Sequence, residues 1–414
     1  MIVDHSRVED ICDFIGGSQP AKSEFINEPK DGYVRLIQTR DYKTDAFPTY
    51  IPENSTRKFC DVDDVMIGRY GPPIFQICRG LKGAYNVALL KAKPKKGIDR
   101  EFLYYFLKQD AVFQYVDKLS ARTGGQTGVD LVSLNKYPVR VPTNIGDQKK
   151  LVASLVAIDK KIELNNRINA ELDVMAKTLY NYWFVQFDFP DANGKPYKSS
   201  GGKMVYDPAL KRKIPEGWEA KPLSKLLNCN RAKLGKKHQL KVLNYLDTAN
   251  LTNNTIGSIQ KLVVGVDTVP SRANMIVNKN DILYSTVRPN QFHYGIVRDP
   301  VDHLVASTGF AVLSHKENSE FNTMFYLHIT SSQNTNKLIR ISESSKSSYP
   351  SISPDDILNL VISLPFDTEI IKKFCKLLNP MFDKMSEIQK EAKELEKLRD
   401  WLIPMLMNGQ VTVK

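Results

Sequence analysis

The chain has 414 residues, 42% of them hydrophobic and 25% charged, and a formal net charge of +12; this suits a globular protein of two or three domains that meets a polyanion. Its five cysteines (Cys12, Cys60, Cys78, Cys229, Cys375) form no CxxC or His/Cys cluster, which argues against a structural zinc or any other metal site and against a disulfide framework. Residues 1–10 carry no signal-type apolar core and no apolar run reaches the ~20 residues of a membrane helix, so a cytoplasmic location with no membrane contact is expected.

In chain order, the blocks Asp64-Val65-Met66-Ile67 and Asn86-Val87-Ala88-Leu89 alternate or run apolar like strands. An aromatic stretch follows at residues 102–107, and Val139-Arg140-Val141-Pro142 leads into a long helical segment over 147–184. Its apolar or seam positions are Leu151, Leu155, Ile158, Ile162, Asn165, Asn169, Leu172, Ala176, Leu179 and Trp183. Their steps alternate between four and three, which is a heptad seam. Asn165 and Asn169 either pair inside that seam and set its register or face solvent where it frays.

Residues 191–221 are punctuated by Gly, Pro and Ser and contain the cluster Lys211-Arg212-Lys213. A solvated linker is the preferred reading, with DNA contact by its basic residues as the alternative. The second half then repeats the first. Adding 223 to each seam position gives Phe374, Leu378, Met381, Met385, Ile388, Ala392, Leu395, Arg399, Leu402 and Leu406, nearly all apolar in the same phase. At the same offset Ile362-Ser363-Leu364-Pro365 matches 139–142, and Gly309-Phe310-Ala311-Val312 matches 86–89. Asp281-Ile282-Leu283-Tyr284 resembles 64–67, and 324–329 resembles 102–107.

The predicted architecture is α+β with an internal repeat. A globular domain (1–142) is followed by a long helix (143–186), a linker (187–222), a second globular domain (223–365), a second long helix (366–403) and a tail (404–414). The first helix carries the chain to the second domain and the second returns, so the two pair most simply as an antiparallel coiled coil. Two amphipathic helices packed on ordinary cores are the alternative. The basic excess lies outside the helices: residues 223–365 hold 15 Lys and Arg against 10 Asp and Glu.

Catalytic chemistry is missing. Methylation of a base amino group needs a Gly-rich cofactor loop and an Asn/Asp-Pro-Pro-aromatic loop. Phe14-Ile15-Gly16-Gly17 lacks the spacing of the first, and Gly71-Pro72-Pro73-Ile74 lacks the acceptor of the second. Pro190-Asp191 with Glu219-Ala220-Lys221 fits a metal-nuclease pattern only loosely, and no GxxxxGK[ST] loop occurs. The histidines show no ligand spacing.

Several motifs resemble those of specificity subunits of type I restriction–modification systems. They are Ala121-Arg122-Thr123-Gly124-Gly125-Gln126-Thr127-Gly128-Val129-Asp130-Leu131, then Pro142, Gln148 and Ile158-Asp159-Lys160-Lys161-Ile162. Leu179-Tyr180-Asn181-Tyr182-Trp183-Phe184, Gly194-Lys195-Pro196-Tyr197-Lys198, Ile214-Pro215-Glu216-Gly217-Trp218 and the terminal run at 398–409 extend the match over essentially the whole chain. The second half departs from the pattern: Ser342-Glu343-Ser344-Ser345-Lys346-Ser347-Ser348-Tyr349-Pro350 stands where a Gly-Gly-Gln segment would repeat. The resemblance implies a non-catalytic subunit with two target-recognition domains that read the halves of a bipartite site in double-stranded DNA. It implies docking of two adenine-N6 methyltransferase subunits that use S-adenosylmethionine, and of restriction subunits that use ATP and magnesium where these exist. This chain would itself bind no cofactor. A stand-alone methyltransferase or nuclease, and a generic coiled-coil nucleic-acid scaffold, are the alternatives.

Base readout needs Arg, Asn, Gln, hydroxyl and aromatic side chains on exposed loops. In the first domain the candidates are Arg69, Tyr70, Gln76, Arg79, Lys82 and Tyr85, then Arg122, Thr123, Gln126 and Thr127 beside glycines that allow close backbone approach. In the second they are Thr286, Arg288, Asn290, Gln291, His293 and Tyr294, then Ser344, Lys346 and Tyr349.

Overall fold

The computed structural model describes residues 2–71, 74–120, 128–235, 238–345 and 349–411. The chain forms two compact units, Met1–Glu163 with Lys393–Lys414 and Leu164–Ala392. Two long helices, Ile145–Tyr180 and Glu369–Met407, each give one segment to each unit. The first starts where the Asn144 side chain accepts the Gly146 N–H at 2.7 Å, and a π turn, Asn181–Val185, prolongs it. The second begins beside Asp367, whose side chain accepts the Glu369 N–H at 3.0 Å. It runs past its expected end at 403 to Met407, because Leu406 and Met407 are drawn into the core of unit 1. No helix among the described residues is long and apolar enough to cross a membrane.

Every predicted seam position on both helices is buried or half-buried. In unit 1, Leu151 and Leu155 share a core with Ile403 and Leu406, and Asp159 meets Arg399 at 3.0 Å. In unit 2, the Asn165 amide donates to Glu391 at 2.9 Å, while Tyr180 and Phe184 pack on Phe374. Partners therefore descend in number along one helix as they ascend along the other, so the segments run in opposite directions. Asn165 is 1% exposed and paired, whereas Asn169 is half-buried with its Oδ1 unpartnered. Of the two, only Asn165 meets the hydrogen-bond requirement of a register-setting seam amide.

The repeat extends to sheet topology. One four-stranded antiparallel sheet of unit 1 runs Cys12–Gly16, Leu89–Pro94, Val65–Gly68, Ile77–Cys78. Its counterpart in unit 2 runs Leu227–Cys229, Phe310–His315, Ile282–Ser285, Tyr294–Ile296. The second sheet runs Tyr50–Pro52, Tyr33–Ile37, Gly83–Tyr85, Phe59–Cys60 in unit 1 and Gln260–Val263, Val242–Leu246, Leu304–Ser307, Ala273–Ile276 in unit 2. Its central pair is parallel in both units. One expected equivalence shifts. Leu89 pairs with Gly68 and Phe310 with Ser285, so Leu89 corresponds to Phe310, two residues from the match drawn at an offset of 223. A shift of two leaves the inward face unchanged, because strand side chains alternate with period two.

The aromatic stretches are buried helices, Arg100–Leu107 and Asn322–Ile329. Asp99 caps the first by accepting the N–H groups of Glu101 and Phe102. Gln148 is 1% exposed and fully used: its oxygen accepts the Asp99 N–H at 2.7 Å, and its amide donates to the Gly97 and Pro142 carbonyls at 2.9 Å. This motif residue therefore joins the first long helix to the domain it leaves.

The connector is a correction to the sequence reading. Residues expected to form a solvated linker instead fold onto unit 2. Met204–Asp207 and Arg212–Pro215 make a hairpin, and Trp218–Pro222 pairs with Val361–Pro365. Trp218 is 6% exposed and packs on Phe184, Phe187 and Phe189, while Tyr197 stacks on Phe189 at 4.8 Å. Gly and Pro punctuation marks turns, and these turns connect short elements that bury aromatic rings. Lys221 pairs with Glu219. Truncating Trp218 to Ala should cost about 3–5 kcal/mol, the usual loss for a large buried ring. Urea unfolding checks this; a loss below about 1 kcal/mol would return the segment to a linker.

Candidate nucleic-acid interface

The loops singled out from the sequence lie far apart along the chain, and the backbone joins them in pairs. In unit 1 the Arg69 N–H donates to the Ala88 carbonyl at 2.8 Å, and the Arg69 carbonyl accepts the Val129 N–H at 3.1 Å. Tyr70 and Gly128 form an antiparallel bridge beside these bonds. In unit 2 the Thr286 N–H donates to the Gly309 carbonyl at 2.8 Å, and the Thr286 carbonyl accepts the Ile352 N–H at 2.9 Å. Val287 and Ser351 form the matching bridge. The strand ending at Gly68 or Ser285 thus meets the loop that follows the helical region of its own unit. Arg122, Thr123, Gln126 and Thr127 precede this junction in unit 1 and Lys346 precedes it in unit 2; all five lie outside the described residues. The Gly-Gly-Gln run and the Ser/Lys-rich run therefore feed equivalent junctions despite their different sequences.

Around each junction the candidates separate by availability. Tyr70 is 39% exposed with the Arg69 guanidinium 5.0 Å from its ring centre. Lys82 is exposed and lies 3.7 Å from Asp61. Arg288, Asn290 and Gln291 are exposed around a short 3-10 turn, Pro289–Gln291, and Tyr349 is exposed beyond the bridge. Arg288 and Phe292 bracket that turn in the left-handed region, with φ of 49° and 55°. Two bonds hold them there: the Arg288 N–H donates to the Pro350 carbonyl at 2.8 Å, and the Phe292 carbonyl accepts the Asn253 N–H at 2.9 Å. Left-handed backbone at a side-chain-bearing residue costs roughly 1–2 kcal/mol, so the turn is imposed by its surroundings.

Other candidates are already engaged. Tyr85 is 1% exposed, and Tyr294 is buried with its ring stacked on Tyr284. Both sit on strands that are buried along their whole length. Arg79 lies inside an ion cluster: it meets Glu101 at 2.6 Å and Asp159 at 3.3 Å and covers the Tyr104 ring at 3.9 Å. Asp159 also takes Arg399 at 3.0 Å and the Tyr105 hydroxyl at 2.7 Å. Arg79 therefore ties the sheet to both long helices within unit 1. Gln76 is half-buried with its side-chain oxygen enclosed. The hydroxyls of Thr286 and Ser344 donate to the Gly309 and Ile341 carbonyls at 3.0 and 2.8 Å. His293 Nδ1 lies 2.8 Å from the Leu251 carbonyl and 2.9 Å from Thr252 Oγ1.

That last contact introduces a segment the sequence reading passed over. Thr252-Asn253-Asn254-Thr255 closes a tight hairpin with both asparagines at positive φ, 46° and 61°. Asn254 accepts the Ile296 N–H at 2.9 Å and so braces the 288–292 turn from behind. An Asn-Asn pair between β-formers is the available signal, since such turns require φ above zero at both central positions. Phe292, 39% exposed at the turn, was also passed over. The Gly16-Gly17 pair has a structural reason: a Cβ on Gly17 would collide with the Asn86 carbonyl. Among the described residues, no three His, Cys, Asp or Glu side chains gather as a metal site.

Residues 3–174 match the family described as Type I restriction modification DNA specificity domain. The chain is 26% identical over 340 residues to the type I restriction enzyme MjaIX specificity subunit of Methanocaldococcus jannaschii, covering 78% of this chain and 71% of that protein. It is 27% identical over 154 residues to the HindI specificity subunit of Haemophilus influenzae, covering 37% and 33%. In fold it resembles the crystal structure of the type I S subunit from M. genitalium, with a TM-score of 0.58 at 14% identity over 98% of this chain and 96% of that one. A matched specificity domain over residues 3–174 and a related specificity subunit along 78% of the chain make it similar to the specificity subunits of type I restriction–modification systems, and its fold resembles that of one solved S subunit.

Proposed function

We propose that each unit reads one half of a bipartite target in double-stranded DNA, through the surface around its backbone junction. The observation that carries this is the duplicated junction itself. Arg69–Val129 and Thr286–Ile352 use the same bonds in the same order, and each presents exposed polar and aromatic side chains. Arg288, Asn290 and Gln291 in unit 2, with Tyr70, Arg69 and Lys82 in unit 1, are the proposed contacts, joined by Arg122, Thr123, Gln126, Thr127, Lys346 and Tyr349. Arg to guanine and Asn or Gln to adenine are the pairings these side chains favour. The net charge of +12 supplies the sequence-independent share of the affinity.

The chain is a reader and scaffold without catalysis of its own in this proposal. Its long helices pair as an antiparallel coiled coil along their length and dock two adenine-N6 methyltransferase subunits. Those subunits carry S-adenosylmethionine, and restriction subunits, where present, use ATP and magnesium. Purified chain incubated with labelled S-adenosylmethionine and DNA should transfer no methyl group until a methyltransferase subunit is added.

Two experiments test the division of labour. Exchanging residues 1–140 for the corresponding domain of another specificity subunit should alter one half-site in the host methylome and leave the other intact. A simultaneous change in both halves would refute independent reading. Arg288→Ala should either relax one base position by roughly 1–3 kcal/mol or flatten the salt dependence, with folding stability unchanged. Arg79→Ala should do the reverse and cost about 1–2 kcal/mol of stability, because its partners Glu101 and Asp159 lose a partly buried counter-ion. Binding isotherms at several salt concentrations, with thermal melts, separate the two.

A further inference from the structure

A cavity of about 710 Å³ opens in unit 2 between the end of the first long helix, the Arg212–Pro215 strand, the helix Ser332–Glu343 and Phe292. The duplication does not account for its polar lining. His328 and Tyr180 face it, whereas an offset of 222 or 223 places Phe106 and Ile403, both in the apolar core, at the matching positions of unit 1.

Polar groups line it, and two of them, the Arg212 guanidinium and the Ser363 hydroxyl, have no hydrogen-bond partner among the described residues. Arg212 is half-buried over the Phe187 ring, 4.8 Å from its centre, with no carboxylate within ion-pair distance among the described residues. Asp207, opposite it in the hairpin, spends Oδ1 on the Leu210 N–H at 2.8 Å. Lys177 is held by Asp173 at 2.7 Å. The N-terminal residues of the helix Ser332–Glu343 line the wall; the Ser331 hydroxyl caps the Asn334 N–H at 3.4 Å, while the first N–H groups of any helix lack an intrahelical partner. The Ser363 hydroxyl also lines it; that residue is 4% exposed and its oxygen has no hydrogen-bond partner.

The histidine at the cavity wall is itself engaged. The Asn334 amide donates to the His328 carbonyl at 2.8 Å and lies 3.2 Å from Nε2. Burial pushes the His328 pKa down to about 3, so the ring is neutral. His328 Nδ1 and the Tyr180 hydroxyl lie 2.8 Å apart, so this buried pair shares one hydrogen bond.

We propose that this cavity binds a small phosphate-bearing anion, with Arg212 as counter-ion and with the N-terminus of the helix Ser332–Glu343 and the Ser363 hydroxyl as donors. A fork-shaped cation, helix N–H groups and a hydroxyl arriving from separate elements suit a tetrahedral oxyanion better than a planar carboxylate. The volume falls within the ~300–1,000 Å³ of small-molecule sites and leaves room for an organic group beside Phe292.

The test uses the full chain without DNA, at fixed ionic strength, so it does not depend on the proposed reading of DNA. Inorganic phosphate and AMP are titrated separately, followed by phosphorus NMR and by thermal shift. Saturable binding of at least one is expected. Arg212→Gln should weaken it by about tenfold or more, the loss of one charge-assisted pair, while Lys279→Gln, an exposed cation elsewhere, leaves it unchanged. Ser363→Ala should weaken it a few-fold. AMP binding well above phosphate would mark an organic phosphate as the ligand, and equal binding would mark the oxyanion alone; both support the site. Absence of saturation with either probe, or equal affinity in a folded Arg212→Gln variant, would overturn it.

Discussion

Neither globular unit closes its core without helix segments that come from two distant parts of the sequence. Unit 1 takes Leu151 and Leu155 from the first long helix and Ile403, Leu406 and Met407 from the second. Unit 2 takes Tyr180, Trp183 and Phe184 from the first and Phe374, Leu378 and Phe382 from the second. Each of these side chains offers roughly 1.5–3 kcal/mol on burial, a large share of the 5–15 kcal/mol that a domain keeps in total. Helix pairing and domain stability are therefore one quantity within each unit. Exposing the seam would open the hydrophobic core as well as the helix pair.

The charged residues between sheet and helix serve the same end. Arg79, Glu101, Asp159 and Arg399 occupy one partly buried cluster in unit 1, with Tyr105 as a neutral donor. In unit 2, Arg298, 6% exposed, is held by Asp383 at 2.8 Å, and Thr323 donates to Asn379 at 2.6 Å. Apolar packing tolerates sliding along a seam, whereas such pairs are satisfied in one register only. The sheets are thus locked to helices whose apolar faces alone would fix them less sharply.

That rigidity bears on recognition. A side chain reads a base edge only if its backbone is held in place, and both junctions hold theirs by bonds between segments some sixty residues apart, as in Val129 to Arg69 and Ile352 to Thr286. Sequence variety is then confined to what the loops carry. Unit 1 feeds its junction with a Gly-rich run and unit 2 with a Ser/Lys-rich run, on the same frame. Unit 2 adds a left-handed turn at Arg288 and Phe292, braced by an Asn-Asn hairpin. Two units of one architecture can therefore present different side chains.

The sequence by itself determined the helices, their seams, the duplicated order and the family resemblance, because these rest on local periodicity and on motifs written in contiguous residues. The heptad steps from Leu151 to Trp183 need no partner to be seen, and neither does their recurrence from Phe374 to Leu406. Tertiary structure alone decided which polar side chains remain available. Arg79 and Arg288 look equally suited to DNA in the sequence, yet one is enclosed by carboxylates and the other stands on an exposed turn. Tyr85 and Tyr294 lie on strands buried along their whole length, and Gly and Pro punctuation hid a folded aromatic connector around Trp218. Availability depends on what a residue meets across the fold, and the partners of Arg79 lie 22 and 80 positions away, beyond the reach of any local pattern.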